Sequence, residues 1–311
     1  MIEMLARQSP WGPIRVVDAH VHFFSYRFFE VLAGQKPGLT MDAVRDALLK
    51  KPEWQFPPHE PAQLADLWAR ELDRHGVDRA ALIASVPGDE ASVLAARRAH
   101  PDRFLGFSMV NPRAWNEAAL VGIRVACLFP AMHGYSMRED LVHPVFEWAA
   151  QGGRAVFVHC GVLSVGVRKR LGLPSAFDLR YSNPVDLQGV ALCYPQVPII
   201  VPHFGAGYFR ETLMLADLCS NVYLDTSSSN GWMRYQEATL DLRQVFQKAL
   251  DVVGAERLLF GTDSSFFPRG WQYPIFEDQA TALYELGVSE ADARRIFGEN
   301  ILRILPHSAD I

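Results

Sequence analysis

Apolar positions along the chain follow two rhythms: short, nearly continuous runs, and longer stretches in which they return every three or four residues. The short runs predict strands near residues 16–22, 79–86, 104–110, 121–129, 155–160, 197–203, 221–226 and 257–263. Between them, segments such as PAQLADLWARELDRHG, EASVLAARRAH and HPVFEWAAQGG gather apolar side chains on one helical face. Gly76, Gly152 and Gly153 stand where such helices would stop. VFVH, PIIV and RLLF are almost wholly apolar, as strands covered on both faces must be. Eight strands alternating with helices predict an α/β chain folded as a parallel (β/α)8 TIM barrel. A doubly wound open sheet is the competing arrangement, but its GxGxxG phosphate loop is absent and eight strands favour closure.

Two stretches break the alternation. Residues 25–60, rich in aromatics and prolines (YRFFEVL, PEWQFPPHEP), form an insertion after the first strand that reads as a lid or a subunit contact. Residues 288–311, with VSEADARRIFGENILRIL, read as a C-terminal extension of two short helices packed on the barrel. No internal repeat, low-complexity tract or linker divides residues 1–311, so one domain is expected. A net charge of −5 supplies no basic stripe for nucleic acid. No apolar run approaches the roughly 18 residues of a membrane span, and MIEMLARQSPWGPIR lacks a signal peptide's apolar core. Cys127, Cys160, Cys193 and Cys219 show no CxxC spacing, so reduced thiols and a cytoplasmic location are expected.

Chemistry concentrates where strands end. In VVDAHVHFF an ideal strand would point Asp18, His20 and His22 one way and Val17, Ala19 and Val21 the other. Burying three polar groups together is costly unless something binds them, and two imidazoles one residue apart can chelate a metal ion. His159 ends VFVH, His203 follows PIIVP and Asp263 follows LLFGT, so all five donors would face one mouth. A single histidine at a strand end is ordinarily a hydrogen-bonded core residue. Four with a carboxylate form a donor set for a divalent transition ion. The imidazoles must be neutral to bind it, and the ion would lower the pKa of a bound water to about 7. Asp263 is the expected general base and then proton donor; His203 would hydrogen-bond the water or a developing oxyanion. Asp18 has two open readings, a brace for the histidines or a partner of local backbone. Arg124, His133 and Arg168 are candidate anion ligands or loop braces. Phe266, Phe267, Arg269 and Trp271 are a pocket wall or a packing cluster. His59, His75, His100, His143 and His307 fall away from the rim.

DAHVH, HCG, PHFGAG and GTD, with HFF after the second histidine and GENILRIL near the end, resemble the amidohydrolase superfamily. More narrowly, they look like its amidohydrolase-2 branch, which contains the aminocarboxymuconate-semialdehyde decarboxylase-like proteins. The resemblance implies a barrel with one catalytic divalent ion, usually zinc, with manganese or another divalent ion as alternatives. Its ligands would be His20, His22, His159 and Asp263, with His203 as a polarising group. Binuclear relatives carry a carboxylated lysine or a glutamate on strand four. GIRVACLFP has neither, which implies a mononuclear site, and Cys127 there reads as a buried structural thiol that could alternatively approach the ion. The branch also implies a homodimer acting on a small molecule. Hydrolysis of a small amide, ester or lactone is the first expectation. Non-oxidative decarboxylation of an unsaturated or aromatic acid is the alternative, which Arg124, Arg168 and Arg269 would serve by gripping carboxylates. A binding barrel without chemistry fits poorly with a complete ligand set.

Overall fold

Each of the eight apolar runs becomes a strand of one parallel sheet. The computed structural model describes residues 5–50, 53–227 and 230–306. His307, the tail of the C-terminal extension and residues 51–52 of the insertion lie outside the described residues. The chain opens with an antiparallel hairpin, β1 (Arg7–Ser9) and β2 (Gly12–Ile14), which the apolar pattern does not signal. The barrel strands follow: β3 (Val17–His22), β4 (Arg79–Ala84), β5 (Phe104–Val110) and β6 (Val125–Leu128). Then come β7 (Ala155–Val158), β8 (Ile199–Val201), β9 (Val222–Asp225) and β10 (Leu258–Leu259). Each pairs in parallel with the next. The sheet then meets itself. Ala19 N–H donates to Phe260 O at 2.8 Å, Asp263 N–H to His20 O at 3.0 Å and His22 N–H to Ser264 O at 2.7 Å. This seam makes the sheet a TIM barrel.

Several strands are shorter than the apolar runs suggest. Pro198 and Pro202 flank β8, and a residue without an N–H cannot extend a ladder. β6 begins at Val125, after Gly122 turns the chain at a φ of 88°. Inside the barrel Ala81, Ile83, Leu105, Phe107, Cys127 and Phe157 pack together. Between barrel and helices lies a larger core that includes Trp68, Phe146 and Phe246. The three amphipathic segments form helices over Pro61–His75, Glu90–Ala99 and His143–Gln151, and Gly76 ends the first in the left-handed conformation.

The C-terminal extension holds the two short helices expected, Glu290–Arg294 and Asn300–Ile304, joined by a π turn, Arg295–Glu299. Asn300 Nδ2 donates to Ala255 O and Leu258 O at 2.8 and 2.9 Å, which pins this run under β10. Ile301, Ile304 and Leu305 join the inner core with the strand-start residues Val17 and Leu105, so they plug the end of the barrel opposite the mouth. Among the described residues no helix is long and apolar enough to cross a membrane.

The insertion carries helices Tyr26–Gly34 and Met41–Leu48 with a core of their own, including Phe28, Leu32, Val44 and Trp54, packed on Val86 and Val167. Ser25 caps the first helix by accepting from Phe28 N–H at 2.9 Å, and its hydroxyl donates to the buried Asp89 carboxylate. Ser92 Oγ donates to the same carboxylate at 2.5 Å. Burial pushes the Asp89 carboxyl up to about 7, against the lowering effect of those two hydroxyls. The folded state therefore binds more protons than the unfolded one from about pH 4 to about pH 7. Stability should fall as pH rises through that window and level off above it. Urea unfolding of the wild type and of Asp89→Asn will show a steeper fall in the wild type, because only other raised carboxyls such as Asp18 act in the variant; parallel profiles would contradict it.

Candidate metal centre

The first barrel strand is not an ideal one. Asp18 pairs with Ala80 and Val21 with Leu82, so three steps along β3 oppose two along β4. That extra residue is a β-bulge, and it changes which side chains share a face. Asp18 therefore turns outward with Ala80 and Leu82, while His20 and His22 turn into the mouth with Ile83. The expectation that all three polar residues point one way is corrected. Asp18 accepts from His20 N–H at 2.9 Å, Thr262 N–H at 3.1 Å, Thr262 Oγ1 at 2.5 Å and Trp271 Nε1 at 2.8 Å. It ties the seam together through backbone and touches neither imidazole; burial raises its carboxyl to about 6.

Across the seam, His20 Nε2, His22 Nε2 and Asp263 Oδ1 converge. His22 Nε2 stands 3.1 Å from Asp263 Oδ1, His20 Nε2 3.7 Å from it, and the two nitrogens are 3.4 Å apart. The group fits within 4.8 Å. What aims it lies behind. His20 Nδ1 donates to Asp225 Oδ2 at 2.7 Å, at the end of β9. His22 Nδ1 donates at 2.7 Å to Ser85 Oγ, whose own proton goes to Ile83 O at 3.0 Å. Both rings are thus held in the tautomer whose Nε2 lone pair faces Asp263. Gly261 passes so close behind that an added Cβ would lie 2.7 Å from Asp225 Oδ1 and 2.9 Å from His20 Cβ.

The remaining donors line the same cavity. Pro202 ends β8, and the chain turns through left-handed residues His203, Phe204 and Ala206, at φ 55°, 51° and 42°. This brings the His203 ring within 5.1 Å of the His20 ring and 5.5 Å of the His159 ring, measured between centroids. His203 Nδ1 donates to Ser227 O at 2.9 Å, which leaves a lone pair on Nε2. His159 stacks on Phe129, and its Nδ1 is buried without a protein partner among the described residues. The nitrogens of His159 stand outside the 4.8 Å group.

The charges follow from these contacts. For Asp263, burial would raise the carboxyl, but the adjoining imidazoles of His22, His20 and His203 hold it well below the usual range. Burial lowers His22 and His203, and burial with neighbouring imidazoles takes His159 well below the ordinary value. In His20 burial is overcome by Asp225, which raises the ring. Directed Nε2 lone pairs, an ionised carboxylate and an orphaned buried imidazole nitrogen together fit a divalent cation.

Of the further candidates, Arg168 and Arg269 line this cavity of about 550 Å³. Arg168 Nη1 donates to Gln35 Oε1 at 2.6 Å, and Arg269 Nη2 to Ser265 Oγ at 2.7 Å. Three others do not belong to it. Arg124 immediately precedes β6, at the far end of the barrel, and bonds Gly153 O and Pro306 O, both at 3.2 Å. His133 ends the short helix Pro130–His133 behind the cavity wall, with burial taking it down to about 4. Trp271 is buried in the outer core, its indole taken by Asp18. Cys127 is a buried thiol inside the barrel and does not join the donor group. Asp225, Ser85, Arg234 and Trp54 were not anticipated. Asp225 carried a signal, a carboxylate ending the apolar run VYLD, and Trp54 lay in the aromatic-rich PEWQFPPHEP.

Comparisons with known proteins give the family and the fold. A family model described as Amidohydrolase matches residues 17–306, and the chain belongs to that family of metal-dependent enzymes. The protein fluG of Emericella nidulans is 34% identical over 92 residues, 29% of this chain and 10% of that protein, so the chain spans about a tenth of that curated relative. The 5-carboxyvanillate decarboxylase LigW of Sphingomonas paucimobilis superposes with a TM-score of 0.61 at 16% identity, covering 95% of this chain and 100% of that one. A probable 2-pyrone-4,6-dicarboxylic acid hydrolase of Acinetobacter baumannii gives 0.59 at 14% identity, covering 94% and 100%. An amidohydrolase of Burkholderia multivorans with bound zinc gives 0.58 at 15% identity, with the same coverage. At these identities the structural likeness carries the barrel fold, and it spans both a hydrolase and a decarboxylase.

Asp225→Asn should weaken zinc affinity by about 10- to 100-fold while the barrel still folds, because the carboxylate that orients His20 is lost. Competition with a fluorescent chelator measures this, and unchanged affinity would remove Asp225 from that role.

Proposed function

We propose that the chain is a metal-dependent hydrolase acting on a small amide, ester or lactone, with zinc as the favoured ion. His20, His22 and Asp263 would hold the ion, with His159 as a further nitrogen donor at the mouth. A divalent ion there supplies Lewis-acid polarisation of the carbonyl under attack. Asp263 keeps 27% of its side chain open and is ionised, so it can take a proton from water and return it to the leaving group. His203, with Nδ1 committed to Ser227 O, offers Nε2 only as an acceptor and can position that water. It could steady an oxyanion only after gaining a proton.

The observation that carries hydrolysis over decarboxylation is the hydrogen bonding of His203. Decarboxylation ends with a proton delivered to carbon. His203 Nδ1 is committed to Ser227 O, so Nε2 is left as an acceptor, which suits holding a water for attack and offers no proton to carbon. One observation favours the decarboxylase as a second reading. Arg168, Arg234 and Arg269 line the cavity, and Asp263 is the single carboxylate among the described lining residues, so an anionic substrate would be attracted. A homodimeric, cytoplasmic enzyme belongs to the same proposal.

Incubating the zinc-loaded protein with pooled lactones, esters, amides and aromatic or unsaturated acids should yield hydrolysis products. Carbon dioxide without them would overturn hydrolysis in favour of the second reading. Asp263→Asn should lower turnover at least about a hundredfold. A near-normal rate would remove Asp263 as the base.

A further inference from the structure

We infer that the insertion builds a second compartment of this cavity, which receives a bulky apolar group of the substrate remote from the reacting carbonyl. The inference rests on the mouth being a substrate site and adds what that substrate must carry. From His22 the cavity continues along Phe24, Phe28, Leu32, Trp54, Val86 and Phe266. The insertion contributes Phe28, Leu32 and Trp54; Phe24 immediately precedes it. Phe266 comes from the loop after Asp263.

The rings form a wall of nearly parallel planes. His22 and Phe24 stack with centroids 5.6 Å apart at 27°, Phe24 and Phe28 at 4.4 Å and 8°, and Phe24 and Trp54 at 5.9 Å and 11°. Trp54 then lies against Phe266 at 3.9 Å and 9°. The wall therefore starts at a candidate metal ligand and runs away from the metal centre. It is held in place rather than assembled by a ligand. Trp54 N–H donates to Leu48 O at 3.0 Å and Gln55 N–H to Phe267 O at 2.7 Å, while the Arg170 guanidinium sits 5.3 Å from the Trp54 ring. Phe28, Leu32 and Trp54 are 2%, 1% and 8% exposed, so they back the wall, and the half-buried Phe24 and Phe266 present its surface to the cavity.

Apart from the Trp54 indole, these six side chains offer a ligand no hydrogen bond. They reward only the removal of apolar surface from water, so the occupant is an uncharged aryl or branched alkyl group. A cavity of about 550 Å³ lies in the range that encloses drug-sized ligands, which leaves room beyond the reacting group. Specificity for that group falls to the rings of Phe24 and Phe266, which Trp54 positions by stacking on both.

The test uses 2-naphthylmethanol, a neutral probe that does not chelate metal, titrated calorimetrically into the full-length protein as purified. Wild type should bind it saturably at one site. Trp54→Ala should bind at least tenfold more weakly. Val165→Trp, which fills the cavity from its rim and leaves Trp54 intact, should weaken binding equally. Leu192→Ala, on an exposed surface outside the cavity, should match wild type. No saturable binding, or equal affinity in wild type, Trp54→Ala and Val165→Trp, would overturn the compartment. Because the readout needs neither metal nor turnover, its failure is separate from a failure of the hydrolase reading.

Discussion

Everything at the mouth depends on the seam where the first and last barrel strands meet. Ordinary strand pairing would bring two backbones together there. In this chain the seam also brings the imidazoles of His20 and His22 against the Asp263 carboxylate, because Asp263 N–H donates to His20 O and His22 N–H to Ser264 O. Residues more than 240 positions apart thus become neighbours through backbone geometry alone. Asp18 reinforces the junction from outside, where its buried carboxylate gathers Thr262 and Trp271 onto β3. The bulge in β3 separates these tasks, turning one polar residue outward to hold the seam and two inward to face a ligand.

Proximity alone would not make a metal centre. Neutral histidine exists as two tautomers, and only one leaves a lone pair at Nε2. Asp225 and Ser85 choose that tautomer by accepting from Nδ1, so the lone pairs point where Asp263 already stands. The same contacts set the charges. An ionised Asp263, open to the cavity, can take a proton from water there. The insertion then adds selectivity at a distance from the reacting atoms, since its aromatic wall begins at His22 and extends outward.

Much of this was legible in the sequence, for a physical reason. Strands buried on both faces must be apolar, so the eight runs stand out, and in a parallel barrel functional side chains follow those runs. That rule singles out His20, His22, His159, His203 and Asp263, which line one cavity. Strand limits were less visible, and Arg124 shows the consequence. A strand beginning at residue 121 would carry Arg124 inside it, whereas the turn at Gly122 delays β6 and leaves Arg124 at the opposite rim. The bulge left no trace in VVDAHVHFF, because alternation looks the same with or without an extra residue. Asp225 and Ser85 were missed because their roles arise only from which strands become neighbours. The aromatic residues of the insertion announced themselves by composition, but their stacking against Phe266 is a tertiary fact.

The most direct test of a single cation gripped across the seam is anomalous diffraction from crystals grown with zinc. The account predicts one strong peak about 2.0–2.2 Å from His20 Nε2, His22 Nε2 and an Asp263 carboxylate oxygen. A map without a peak there, or with zinc bound only at other positions, would contradict it.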